Sequence, residues 1–148
     1  MGGQASDGPG EALSLPHLVK WAEMAVRARV ERAIVALPVS SGQLFALALL
    51  QEQGEATSAE LARLMYLTPQ AMTTLLAPLR EGGLIGRHED QAHRRRLRLQ
   101  LTERGRDVLR QARALTPGIE ADVLAPLDTA ERATLGRLLG AIARPLAT

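Results

Sequence analysis

The sequence predicts a mostly α-helical domain with one small β-hairpin, and three observations carry that expectation. Ala and Leu dominate an apolar stock with only three aromatics, Trp21, Phe45 and Tyr66, and both are strong helix formers. Helix-start signals recur along the chain: SSGQ at 40–43, TSAE at 57–60, Thr68-Pro69, and DTAE at 128–131. One stretch, LRLQL at 97–101, alternates apolar and other residues with the period of a half-buried strand.

Composition narrows the function classes. A chain of 148 residues that is 46% hydrophobic is about one domain long, with enough apolar material for an ordinary core. With no cysteine, disulfides, thiolate metal sites and thiol redox sensing are excluded. No apolar run approaches the roughly 20 residues that cross a bilayer, and the N-terminus lacks the apolar core of a secretory signal, so a cytoplasmic protein is expected. Seventeen of the eighteen basic residues are Arg and the other is Lys20. The net charge is only +2, so the basic character is local rather than global.

The elements follow in order. Residues 1–13 begin with the small, polar, Gly-rich MGGQASDGPG and are expected to form a disordered tail. From Ser14 to Leu37 apolar residues recur at three- and four-residue steps, predicting a long amphipathic helix closed by Pro38. SSGQ opens a helix through LFALALLQEQ that Gly54 ends, and TSAE opens a short helix, ELARLM. After Tyr66 and Leu67 a third start appears, with Pro69 at the first helical position, where its missing N–H costs nothing. That helix sets Met72, Leu75, Leu76 and Leu79 on one face and Gln70, Thr73, Thr74 and Ala77 on the other. Gly82-Gly83 stops it; Leu84 to His88 and Arg96 to Leu101 then read as a hairpin with Leu97, Leu99 and Leu101 inward. Thr102 caps a long helix that Pro117-Gly118 is expected to bend or break near Thr116. DTAE opens a last helix that stops at Pro145.

The hairpin concentrates charge: LIGRHEDQAHRRRLRLQL, residues 84–101, holds five arginines, three of them adjacent at the tip. A solvated edge strand uses charge against aberrant pairing, but a helix-turn-helix directly in front of a basic hairpin is the plan of a winged helix. In that plan the second helix suits a DNA major groove. The hairpin lies alongside, its arginines contacting phosphates and reaching into the minor groove.

The run ELARLMYLTPQAMTTLLAPLREGGLIGRHEDQAHRRRLRLQLTERGR resembles the signature of the MarR family of bacterial winged-helix regulators. The matching features are the ELA helix, the turn, the recognition helix, GLI, the D-x-x-x-R-R wing and the LTxxGR helix start. The resemblance implies a winged helix-turn-helix lobe over 40–101 and a helical dimerisation region from 14–38 and 102–146. It further implies a homodimeric repressor that binds a pseudo-palindromic operator in double-stranded DNA, needs no cofactor, and is released by a small aromatic or anionic effector. Base readout is expected from Thr68, Gln70, Thr73 and Thr74, and wing contacts from Arg87, His93, Arg94, Arg95 and Arg96.

Departures from that pattern bear on mechanism. Gln91 stands where the wing usually has Pro, and His93 where it has a second acid, which leaves the anchoring of Arg94 open. The recognition helix carries no charge between Thr68 and Leu79, where the family commonly has an Arg. This suggests a rival to that reading, a winged-helix interaction module without a DNA operator. Pro78 lies within that helix and is expected to kink or shorten its last turn. On the first helix His17, Trp21 and Met24 form a strip beside the apolar stripe and Arg29 lies within it, together a candidate effector site. The anion that Arg29 requires is either an acidic residue of the partner subunit or the effector itself. His88 and His93 with Glu89 and Asp90 lack a fourth ligand and a tight spacing, so no metal site is expected. No nucleophile elbow, phosphate loop or metalloprotease motif occurs, and no catalytic residues are assigned.

Overall fold

The computed structural model describes residues 12–144, so the expected tail lies almost wholly outside the described residues, as does Pro145. The order is α1 (Leu15–Ala33), α2 (Ser41–Gln53), β1 (Ala56–Thr57), α3 (Ser58–Leu64), α4 (Pro69–Glu81), β2 (Ile85–Glu89), β3 (Leu97–Leu101), α5 (Glu103–Val123) and α6 (Thr129–Ala143). Local chemistry sets most of these starts. Ser40 with Gln43, Thr57 with Glu60, and Asp128 with Glu131 form reciprocal capping boxes, each satisfying two backbone N–H groups that have no helical partner.

Four expectations are corrected. The first helix ends at Ala33, short of Leu37, and 34–39 is a series of turns. Pro38 disfavours a helical conformation for Leu37, and the turn delivers Ile34 and Val39 into the core. At this joint Glu31 Oε1 accepts the Ser41 backbone N–H at 2.8 Å. Hydrogen bonds from Ser41, side chain first and then backbone, hold the Glu31 carboxyl below the ordinary glutamate range. Second, of the bend or break expected at Pro117-Gly118, the break is overturned: α5 runs on as helix through Pro117, which lies at an exposed position where water can solvate the freed Arg113 carbonyl. Third, the last turn of α4 is not shortened: the helix continues three residues past Pro78 to Glu81. Fourth, the hairpin is part of a three-stranded antiparallel sheet of order β1-β3-β2, with Ala56 opposite Leu99 and Arg87 opposite Leu99 on the other side.

The core lies among the end of α1, α2, α3, α4, the sheet and the first half of α5. Its most deeply buried members include Leu47, Leu50, Leu61, Met72, Leu79 and Leu84. By contrast α1 and α6 bury no residue within the chain, and Leu15, Trp21, Met24, Leu138 and Ile142 are exposed. Two packed helix ends position α4 and the hairpin. At the end of α4, Gly83 N–H bonds to the Arg80 carbonyl and Leu84 N–H to the Leu79 carbonyl, with Gly83 at φ 71°. This is a Schellman turn whose flanking Leu79 and Leu84 are both buried. At the start of α5, Gly105 sits so close to Leu84 that a Cβ there would overlap the Leu84 carbonyl.

Gly105→Ala is therefore expected to cost about 1–3 kcal/mol through overpacking, despite alanine's better helix propensity. Gly118→Ala, where an added Cβ meets nothing within 4 Å, should gain about 0.5–1 kcal/mol. Urea unfolding of the two variants checks both signs.

Candidate nucleic-acid interface

The turn between α3 and α4 fixes how the recognition helix is presented. Leu67 N–H bonds to the Ala62 carbonyl at 2.9 Å and Tyr66 N–H to the Arg63 carbonyl at 3.3 Å, a second Schellman turn. Its left-handed position is filled by Tyr66 at φ 55°, where glycine is usual. Two residues on, Thr68 caps α4, its side chain accepting the Ala71 N–H at 3.1 Å. Met72, Leu76 and Leu79 are buried, while Thr68, Gln70, Thr73 and Thr74 are exposed, as the helical period predicts; Ala77 is half-buried. Thr73 Oγ1 donates to the Pro69 carbonyl at 3.0 Å and Thr74 Oγ1 to the Gln70 carbonyl at 3.1 Å. Both hydroxyl hydrogens are thus engaged within the helix, leaving an acceptor oxygen and a methyl to face outward. Gln70 alone on this face offers an amide whose side chain has no hydrogen-bond partner among the described residues.

The wing tip is closed by backbone bonds. Arg96 N–H reaches the His93 carbonyl at 2.8 Å, and Asp90 N–H the Arg96 carbonyl at 2.9 Å. Asp90 Oδ1 accepts the Ala92 N–H at 2.9 Å. That bond, opposed by desolvation and aided by Arg98 and His93, holds the Asp90 carboxyl below the ordinary aspartate range. Asp90 therefore stays charged through that range, and its contribution to the turn is lost only as pH falls through the lowered value.

Arg87, His93, Arg94, Arg95 and Arg96 are exposed, and none of them forms an ion pair among the described residues. The anchoring question is answered at a different arginine, since the wing acid Asp90 faces Arg98, 3.5 Å away, rather than Arg94. Leu97, expected inward, is 44% exposed. It lies at the tip end of β3, beyond the core that covers Leu99 and Leu101, and lines a groove of about 570 Å³ between α3 and the wing. Arg63, Arg95 and Arg96 also line this groove. Arg63 was missed from sequence because a single Arg on a short helix carries no pattern of its own.

The residues proposed for an effector all lie on α1. His17, Trp21 and Met24 are exposed on α1, and His17 Nδ1 lies 2.8 Å from Ser14 Oγ. Within the chain Arg29 already has an anion, one not anticipated from sequence: Asp122 Oδ2 lies 2.9 Å from Arg29 Nε. A larger apolar cleft, about 1280 Å³, opens elsewhere between α1, α2, the α5–α6 corner and α6; Leu18, Ala22, Val26, Phe45, Leu124 and Leu139 are among its lining residues. His88, considered for a metal, meets Glu55 Oε2 at 2.9 Å.

This arrangement is a winged helix-turn-helix. Residues 37–96 match the sequence model of the MarR family. The chain is 32% identical over 137 residues to the HTH-type transcriptional repressor Rv2887 of Mycobacterium tuberculosis, covering 93% of this chain and 95% of that protein. Rv2887 in complex with salicylic acid aligns with a TM-score of 0.72 at 30% identity, over 89% of this chain and 98% of that one. A mutant of Escherichia coli MarR in complex with operator DNA aligns with a TM-score of 0.80 at 21% identity, over 93% and 99% of the two chains. The chain belongs to the MarR family.

Because Thr68 caps α4, Thr68→Ala is expected to lower stability by about 1 kcal/mol while Thr68→Ser largely preserves it. Thermal denaturation of the pair distinguishes removal of the cap from removal of the methyl group.

Proposed function

We propose that the protein is a cytoplasmic, homodimeric transcriptional repressor, without catalytic activity, that binds a pseudo-palindromic operator in double-stranded DNA. The observation that carries this reading is the wing tip. Arg94, Arg95 and Arg96 stand exposed and unpaired among the described residues, on a hairpin joined directly to a helix with an exposed polar face. Unpaired arginines on a hydrogen-bonded turn are matched to phosphate oxygens and to the negative potential of a narrow minor groove. The groove that Arg63 shares with the wing offers a further cationic wall to the strand between major and minor grooves. Thr68, Gln70, Thr73 and Thr74 then supply readout, Gln70 by pairing its amide with adenine N6 and N7, the threonines by accepting hydrogen bonds or touching thymine methyls.

The uncovered apolar faces of α1 and α6 favour a second copy of the chain as partner, so that 14–38 and 102–146 form the dimerisation region and 40–101 the DNA-binding lobe. A small aromatic acid is the proposed class of effector, by similarity to Rv2887, and the apolar cleft beside α1 is a better candidate for its ring than the strip at His17, Trp21 and Met24. The uncharged recognition helix supports the rival reading, an interaction module without an operator. Fluorescence anisotropy with duplex from the region upstream of the protein's own gene separates the two, and salicylic acid is the effector probe.

Replacing Arg94 and Arg95 with Ala should weaken binding to operator and random duplex alike. It should also flatten the slope of log affinity against log salt by about one unit for each phosphate no longer neutralised. Unchanged slope removes the wing from the DNA-binding surface. Gln70→Ala should cost about 1–3 kcal/mol on the operator and little on random DNA, because it deletes hydrogen bonds to a base and none to a phosphate. Equal weakening on both sequences contradicts that role.

A further inference from the structure

Charge on the wing is divided by position. The tip arginines have no carboxylate partner among the described residues, whereas at the root one arginine gathers three. Arg98 Nε lies 2.9 Å from Glu55 Oε1, an ion pair whose N–H is not aligned for a hydrogen bond; its Nη1 is 3.5 Å from Asp90 Oδ2, and its Nη2 3.9 Å from Glu60 Oε2. The second oxygen of Glu55 meets His88 Nε2 at 2.9 Å. With His88 Nδ1 buried and facing no partner, Nε2 is the ring's one useful donor.

These groups come from separate pieces of the chain. Glu55 precedes β1, Glu60 belongs to α3, His88 to β2, and Asp90 to the turn beyond it. Arg98 is on the central strand, opposite His88 on one side and Thr57 on the other. Its side chain is only 24% exposed and that of Asp90 only 14%, so this pair is less screened than one at an open surface, while Glu55 and Glu60 are more exposed. Asp90 divides its oxygens, one holding the Ala92 N–H of the tip turn and the other facing Arg98.

We propose that Arg98 is the positioning residue of the wing. Through Asp90 it holds the tip turn, through Glu55 and Glu60 it holds the segment that enters α3, and it thereby sets the angle at which Arg94, Arg95 and Arg96 approach DNA without touching DNA itself. The proposal rests on the DNA-binding reading above. Two strands alone make a marginal hairpin, and β1 adds only two residues of backbone pairing. A planar guanidinium with donors on several edges can face carboxylates from different elements at once, which a lysine ammonium on the same strand does less well.

The rival role for Arg98 is one more phosphate contact, and the two roles give opposite signs for one variant. Glu55→Gln removes a negative charge near the DNA-facing side and releases the guanidinium. A phosphate-binding Arg98 would then bind duplex more tightly, with a steeper salt dependence. A positioning Arg98 loses its anchor and the tip must be ordered on binding, so affinity for random duplex falls about five- to tenfold, while the phosphate contacts made in the complex, and with them the salt slope, are unchanged.

Arg98→Met should reproduce that fall, and the double variant should be no weaker than either single one, because both act through one network. In the full-length protein, amide hydrogen exchange at 91–96 should accelerate in both single variants, with the unfolding midpoint measured alongside to establish that the fold is retained. Tighter binding by Glu55→Gln, or a salt slope shallower by about one unit in Arg98→Met, overturns the proposal in favour of a phosphate contact. Should the wild-type protein bind no duplex at all, the DNA-binding reading fails on its own. Unchanged exchange at the tip in both variants overturns the anchor irrespective of that result.

Discussion

The seat of Gly105 against the Leu84 carbonyl is the constraint on which the placement of every proposed DNA-facing residue depends. Leu84 N–H closes the end of α4, while the Leu84 carbonyl accepts the Thr102 N–H at 3.1 Å. Thr102 Oγ1 donates to the Gly83 carbonyl at 2.6 Å and accepts the Gly105 N–H at 3.1 Å. Four element ends, the last turn of α4, the start of β2, the close of β3 and the first turn of α5, are thus tied within a few residues. Only a residue without a side chain permits that approach. The recognition helix and the wing consequently share one base, and neither can tilt without straining bonds that the other needs.

Much of this was legible in the sequence where the determinant is local. A capping box is a contact between residues three apart, so SSGQ, TSAE and DTAE declare their helices regardless of tertiary context. The alternation in 97–101 identified β3 because one face of it packs on the core. Its partner β1 was invisible: two residues carry no period, and Thr57 already reads as a cap. The turn at Tyr66 broke the rule that such ends carry glycine, and the bonds from Leu67 and Tyr66 hold the chain there regardless. Proline at 78 and at 117 weakened two helices on paper without ending either, because each occupies an exposed position.

The proposed interface was legible in composition but not in partnership. Adjacent arginines marked the tip, and helical spacing marked the exposed face of α4. Which arginine is held and which is free depends on contacts far apart in the chain: Arg29 with Asp122, and Arg98 with Glu55. No local pattern announces such pairs. Under the proposed function the outcome is a division of labour, with attraction assigned to the wing and discrimination to neutral side chains.

The continuity of α5 has a mechanical consequence. Its 21 residues make a rod about 31 Å long at 1.5 Å per residue, clamped at one end to the wing base and joined at the other to the corner that leads into α6. A rotation of about 5° about the far end of such a rod carries the clamped end sideways by about 3 Å, about the length of a hydrogen bond. Because α4 and the hairpin travel with that clamp, a rearrangement too small to unpack anything at the α5–α6 corner is magnified into a displacement that no arginine–phosphate contact could follow unchanged.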